Sequence, residues 1–123
     1  MRRCLALLLL TLCACAHRHV ETGEASWYGK ELKGNPTASG EPFRPSKRTA
    51  AHKTLPLGTI VLVRRLDTGK RVRVVINDRG PYAHGRIIDL SRRAARRLDM
   101  IDVGAADVKL KAVGCKARYE GCR

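Results

Sequence analysis

Aromatic side chains are scarce in this chain: one Trp, three Tyr and one Phe among 123 residues. Its core must therefore rest on Val, Ile, Leu and Ala. Acidic residues are few as well, 11 Asp and Glu against 25 Lys and Arg, for a formal charge of +14. So basic a chain calls for an anionic partner: nucleic acid, lipid headgroups or an acidic polymer. A hydrophobic content of 44% excludes a disordered polycation. The length allows one domain. Long apolar runs are missing too. The one extended run, residues 4–14, is too short to cross a bilayer core of about 30 Å.

That run follows Met1-Arg2-Arg3 and carries Leu at five of the six positions 5–10, the pattern of a secretory signal. It ends in Leu12-Cys13-Ala14-Cys15, which resembles the bacterial lipobox, with Cys15 as the lipid-modified residue. Cys13 fits less well, because bulky Leu12 precedes it where a small residue is wanted. A cleaved signal without lipid is the alternative. A buried N-terminal helix is disfavoured, since Ala16-His17-Arg18-His19 turns polar at once and offers no cap. Ala16 lacks the acidic side chain that marks inner-membrane retention. The expected location is therefore the outer membrane, facing the periplasm. Processing removes Arg2 and Arg3 and leaves a strongly basic chain that never meets the chromosome. Nucleic acid drops out as a partner, and the anionic polymer of the cell wall takes its place.

Of the five cysteines, Cys4, Cys13 and Cys15 lie in or at the end of the signal. Cys115 and Cys122 remain, seven positions apart in a polar tail, and an oxidising compartment favours their pairing as a local disulfide. The expected organisation is a signal over 1–14, a tether over 15–22, one globular unit over 23–113 and a pinned tail over 114–123. Residues 59–65 and 70–76 are rich in β-branched side chains and flank Leu66-Asp67-Thr68-Gly69, which predicts a hairpin. Residues 23–29, 86–90 and 106–113 read as further strands. Ser91 caps a predicted short helix over 92–98 that turns Ala94, Ala95 and Leu98 inward. Many short strands, one short helix and frequent Gly or Pro indicate a mainly β protein, a small closed barrel.

The motifs then follow one another in a specific order: Ala25-Ser26-Trp27-Tyr28-Gly29, Thr37-Ala38-Ser39-Gly40-Glu41, and Thr49 through Thr59 around His52. They continue into Val74-Val75-Ile76-Asn77-Asp78-Arg79-Gly80-Pro81-Tyr82 and Gly85-Arg86-Ile87-Ile88-Asp89-Leu90-Ser91. The series closely resembles the rare lipoprotein A family of septal lytic transglycosylases over residues 23–113. That resemblance implies a six-stranded double-psi β-barrel acting on peptidoglycan glycan strands stripped of stem peptides, with no cofactor. Many members carry a SPOR domain after the barrel. None is expected here, which leaves septal recruitment and any division or wall-remodelling partner open.

Cleaving a glycosidic bond requires a carboxylic acid to protonate the leaving oxygen. A lytic transglycosylase needs less than a hydrolase, because the muramic C6 hydroxyl closes the ring and one residue can act as acid and then base. By resemblance, Glu41, His52 and Asp78 fall on the family's catalytic positions. Asp78 is the leading acid/base, Glu41 the second carboxylate, and His52 the residue that orients one carboxylate. Taken singly, Asp78 also reads as a turn former, Glu41 as a surface carboxylate and His52 as a core histidine. Trp27, Tyr28 and Tyr82 are candidate sugar platforms, and Arg79 a candidate substrate contact. Asp89 reads as structural, paired with Arg79 or Arg86 or capping at Ser91, and His84 as solvent-facing. The arginines at 92, 93, 96 and 97 form either a solvated helix face or a contact for lactyl carboxylates. No metal cluster, phosphate-binding glycine loop or serine nucleophile motif supports another chemistry. Two rivals share the composition: an expansin-like wall-binding module, and a basic structural lipoprotein bridging membrane and wall.

Overall fold

A computed structural model describes residues 19–119 and Cys122. The signal segment, with Cys15, lies outside them. Six strands form the molecule: β1 (Val20–Trp27), β2 (Thr49–Ala51), β3 (Thr59–Arg65), β4 (Arg71–Asp78), β5 (Arg86–Leu90) and β6 (Ala106–Cys115). They close into a barrel in the order β1-β5-β2-β4-β3-β6. A single α-helix, α1 (Arg92–Arg97), and a 3-10 turn at Lys30–Leu32 complete the described elements.

The strand assignments follow from side-chain period. In β4, Val72, Val74 and Ile76 are buried while Arg71 and Arg73 stay exposed, so alternate residues enter the barrel. Burial of each such aliphatic side chain contributes about 1.5–3 kcal/mol. The expected hairpin is present as β3–β4, with Ile60 opposite Val75 and Arg64 opposite Arg71. Strand β1 starts at Val20, inside the expected tether, because Val20, Glu21 and Thr22 pair with Lys111, Leu110 and Lys109 of β6. Strand β2 is too short and too rich in Ala to show any period.

Two strand pairs are parallel, β1 with β5 and β2 with β4. Parallel neighbours cannot be joined by tight hairpins, so the chain makes long crossing connections. This is the double-psi arrangement. The connection over residues 28–48 passes across the end of β4, where the Ser39 N–H donates to the Asn77 carbonyl at 3.0 Å. That crossing holds the 37–41 loop beside Asp78. On the flank, Ser91 Oγ accepts from the Ala94 N–H at 3.3 Å and caps α1. A helix of one and a half turns has little stability of its own, and buried Ala94, Ala95 and Leu98 attach it to the barrel.

Candidate active site

Asp78 ends β4 half-buried, and its two carboxylate oxygens have different surroundings. Oδ1 accepts from the Arg79 N–H at 2.8 Å and the Ala38 N–H at 3.0 Å. Among the described residues, Oδ2 accepts only from the Tyr28 hydroxyl, at 3.2 Å. Burial, and then the charges of Asp78 and Asp89, push the Tyr28 phenol far above its ordinary range. It therefore stays protonated and serves as a donor. Asp89 lies in the same cluster, with its Oδ1 accepting from the buried Ser26 hydroxyl. Asp78, Asp89 and Tyr28 thus share one locality, built by the ends of β4, β5 and β1.

His52 follows β2 and is fully enclosed. Its Nδ1 accepts from the Thr54 and Leu55 N–H groups, each at 3.1 Å. The ring proton must then sit on Nε2, which faces Glu21 Oε2 at 2.8 Å. His19 approaches the same oxygen at 2.9 Å. Burial raises the Glu21 pKa, but the hydrogen bonds and charges of His19 and His52 outweigh it and hold this carboxyl below its usual value. His19, Glu21 and His52 converge with metal-ligand spacing, a cluster the sequence did not reveal. A metal would need the Nε2 lone pair of His52, and the two backbone donors on Nδ1 put the proton there instead. The residues present do not suit a metal centre.

The backbone of His52 serves Asp78 where its ring does not. Its N–H donates to the Asp78 carbonyl at 3.1 Å. Arg79 Nη1 donates to the carbonyls of Leu55 at 2.7 Å and His52 at 3.2 Å. The imidazole ties the 52–55 turn from inside, and Arg79 clamps it to the end of β4.

Glu41 lies on the 37–41 loop. Its Oε1 accepts from Ser39 Oγ at 3.2 Å and from the Tyr119 hydroxyl, while Arg118 approaches Oε2 at 3.6 Å. Consecutive residues of one loop therefore hold both carboxylates: Ala38 binds Asp78, and Ser39 binds Glu41. Tyr119 and Arg118 belong to the tail, in which Cys115 and Cys122 form a disulfide. The tail folds back on the loop before β3, with the Lys116 N–H donating to the Gly58 carbonyl at 2.9 Å. Gly58 has a φ of +97°, and a Cβ there would sit 2.5 Å from Tyr119 Cβ. Both the turn and the close approach require glycine.

A family model described as lytic transglycolase matches residues 20–110, the barrel from β1 into β6. The chain belongs to the lytic transglycolase family. An endolytic peptidoglycan transglycosylase RlpA of Campylobacter jejuni is 49% identical over 99 residues, which is 80% of this chain and 36% of that protein. A probable endolytic peptidoglycan transglycosylase RlpA of Treponema pallidum is 54% identical over 91 residues, 74% of this chain and 29% of that protein. The chain spans about a third of the length of these curated relatives. Among solved structures, a Streptomyces papain inhibitor shares 28% identity with a TM-score of 0.63, over 77% of this chain and 94% of that one. An apo expansin of Clavibacter michiganensis has the same TM-score at 23% identity, over 80% of this chain and 52% of that one, and shows the shared fold.

Within this lytic transglycolase barrel, several expected roles change. His52 orients a carboxylate, but that carboxylate is Glu21 and neither Asp78 nor Glu41. Arg79 Nη1 is committed to two backbone carbonyls, so this side chain braces the site. The Tyr28 ring makes a T-shaped contact with Phe43 at 4.9 Å, and its hydroxyl is bonded to Asp78. Trp27 is half-buried against the core. Tyr82 is 85% exposed, and His84 is exposed as expected. Asp89 pairs with Ser26, not with an arginine, and Arg86 pairs with Glu24. A cavity of about 680 Å³ opens beside Glu41, and of the helix arginines only Arg93 lines it. Sequence reasoning missed Glu21, Ser26, Arg118 and Tyr119. For Glu21 a signal existed, because His19 and Glu21 already alternate in register with the strand that follows.

Proposed function

We propose that this barrel cleaves the glycan strands of peptidoglycan as a lytic transglycosylase, with Asp78 as the acid that becomes the base. The carrying observation is the asymmetry at Asp78. Two backbone N–H groups occupy Oδ1, which leaves Oδ2, beside the Tyr28 hydroxyl, as the oxygen that exchanges a proton with the glycosidic oxygen. Bond cleavage leaves positive charge at the anomeric carbon. The Asp78 carboxylate then takes the proton of the muramic C6 hydroxyl as that oxygen attacks, closing the 1,6-anhydro ring and restoring the acid. Glu41, on the 37–41 loop that also binds Asp78 through the Ala38 N–H, stabilises the developing positive charge. Family membership and the identity with named transglycosylases support this reading.

The envelope location belongs to the same proposal. Its support is the lipobox-like Leu12-Cys13-Ala14-Cys15, with Cys15 as the lipid anchor to the outer membrane. Mass spectrometry of digests made from intact and peptide-stripped glycan tests the activity. Anhydromuramic ends are expected, and exclusively reducing ends would show a hydrolase instead. Asp78→Asn should lower the rate by at least about 100-fold, the loss expected on removing a general acid. Cleavage by Asp78→Asn at the wild-type rate would overturn the assignment.

A further inference from the structure

The cavity beside Glu41 lies between the 41–49 loop, the outer face of β3–β4, α1 and the tail. Arg44, Lys47, Arg48, Arg73 and Lys116 line it, all of them exposed. Among the described residues, none of these five has an ion-pair or side-chain hydrogen-bond partner. The single carboxylate in the lining is Glu41; Asp78, Tyr28 and Asp89 lie outside it. Cations that converge on one concavity repel one another and focus a positive field on whatever approaches. At the opposite end of the β3–β4 hairpin, cations have acids beside them. Arg65 pairs with Asp67, Lys70 pairs with Asp99, and the Leu66 N–H donates to the Asp107 carbonyl at 3.0 Å. A flat anionic surface therefore finds its unopposed cations at the cavity.

Which surface lies nearby follows from where the chain enters the barrel. The His19 carbonyl accepts from the Ala112 N–H at 3.0 Å, and Ala112 pairs with Val61, the neighbour of Ile60 in the cavity wall. Two strand spacings, about 10 Å, thus separate the entry of the chain from the cavity. From Cys15 to His19 the chain spans at most about 14 Å. An anchor at Cys15 holds this part of the barrel against lipid headgroups. We propose that the basic cavity and its rim are a membrane-docking surface, with Arg44, Arg48 and Arg73 taking the phosphates of anionic phospholipids. The proposal rests on the anchor reading for the nearness of the membrane, and not on the glycan-cleaving chemistry. A lipid anchor alone leaves a barrel free to swivel, and a polybasic patch supplies the second contact that fixes its orientation. Nearness favours headgroups over a free wall polyanion, because the tether keeps the membrane beside these cations at all times. Asp78 is outside the lining, so a docked barrel keeps its acid clear and acts on glycan lying close to the membrane.

The test is lysine footprinting of the full chain, purified from cell envelopes and placed on two kinds of vesicle. One is phosphatidylcholine alone, and the other is phosphatidylcholine with phosphatidylglycerol. An acylated chain sits on both, so the footprint, and not the bound fraction, reads the docking. Acetylation of Lys47 and Lys116, followed by mass spectrometry, should be about tenfold slower on the anionic vesicles. Added salt should restore it. Lys70 and Lys109, toward the far end of the barrel, should react equally on both. Arg44→Gln/Arg48→Gln/Arg73→Gln should abolish the protection and keep the wild-type melting temperature. Arg64→Gln/Arg71→Gln, which removes a facing pair outside the cavity, should leave the protection in place. Equal acetylation of Lys47 and Lys116 on the two vesicles would overturn the docking surface, and that comparison needs no variant. Protection spread equally over Lys70 and Lys109 would overturn it as well. Soluble peptidoglycan fragments that protect Lys47 and Lys116 where anionic vesicles do not would assign the cavity to the wall instead. A chain that stays off phosphatidylcholine yet shows the footprint on anionic vesicles would uphold the docking and defeat the anchor alone.

Discussion

The Tyr119 hydroxyl donates to Glu41 Oε1 across 78 positions of sequence. Burial, and then the hydrogen bond to Glu41, raise the Tyr119 pKa, so the group remains a donor. The tail after β6 thus supplies part of the setting of the second carboxylate.

Tyr119→Phe keeps the ring against Gly58 and removes only the hydroxyl. If Glu41 is held in place by that bond, kcat should fall about tenfold, the scale of one hydrogen bond to a charged group. KM and melting temperature should hold. Unchanged kcat would reduce Tyr119 to a packing residue.

Reduction of Cys115–Cys122 releases the tail from one end. Closing so short a loop stabilises by about 2 kcal/mol. Mild reductant should therefore lower the melting temperature by several degrees while the far-ultraviolet dichroism at room temperature stays that of a folded barrel. Alkylation should find both thiols only after reduction. Free thiols in protein from an oxidising compartment would contradict the bond.

His52→Ala removes the acceptor for the Thr54 and Leu55 N–H groups and the donor to Glu21. Each buried polar group left without a partner costs about 1–3 kcal/mol. The variant should melt well below wild type and lose less activity than Asp78→Asn, since its effect on Asp78 passes through the 52–55 turn. A loss of activity as large as that of Asp78→Asn with melting unchanged would make His52 a direct participant.

Glu21 has a folded-state pKa below 4.5, its unfolded value. The unfolded chain therefore binds the proton first as pH falls, and stability contributed by Glu21 is present above pH 4.5 and lost as pH drops through the folded value. Melting temperatures from about pH 3 to pH 6 should fall more steeply toward acid for wild type than for Glu21→Gln. Parallel curves would show that Glu21 contributes nothing to acid sensitivity.

Cys15→Ala should release the protein from membranes, whereas Cys13→Ala should not. Fractionation with labelled fatty acid reads both, and processing that is insensitive to globomycin would remove the lipid from the account.

The β3–β4 hairpin, the Ser91 cap and the buried faces of β4 and α1 were legible in the sequence, because alternation, turn residues and capping act over a few neighbouring positions. The order of the motifs made the barrel class legible too, and with it the region of the site. The short strand β2 was not legible, since three residues cannot display a period. Other features depended on which way a side chain points once distant segments meet. The His52 ring turns to Glu21 because Thr54 and Leu55 claim its Nδ1. Arg79 turns inward to two carbonyls left open by that same turn. Asp89 finds Ser26 because β1 and β5 run parallel and in register. Tyr119 reaches Glu41 because the tail doubles back over Gly58. Local chemistry, repeated along the chain, determined the elements and the residue types at the site. Only closure of the barrel, which brings residues far apart in sequence within hydrogen-bond reach, decided which carboxylate each partner serves.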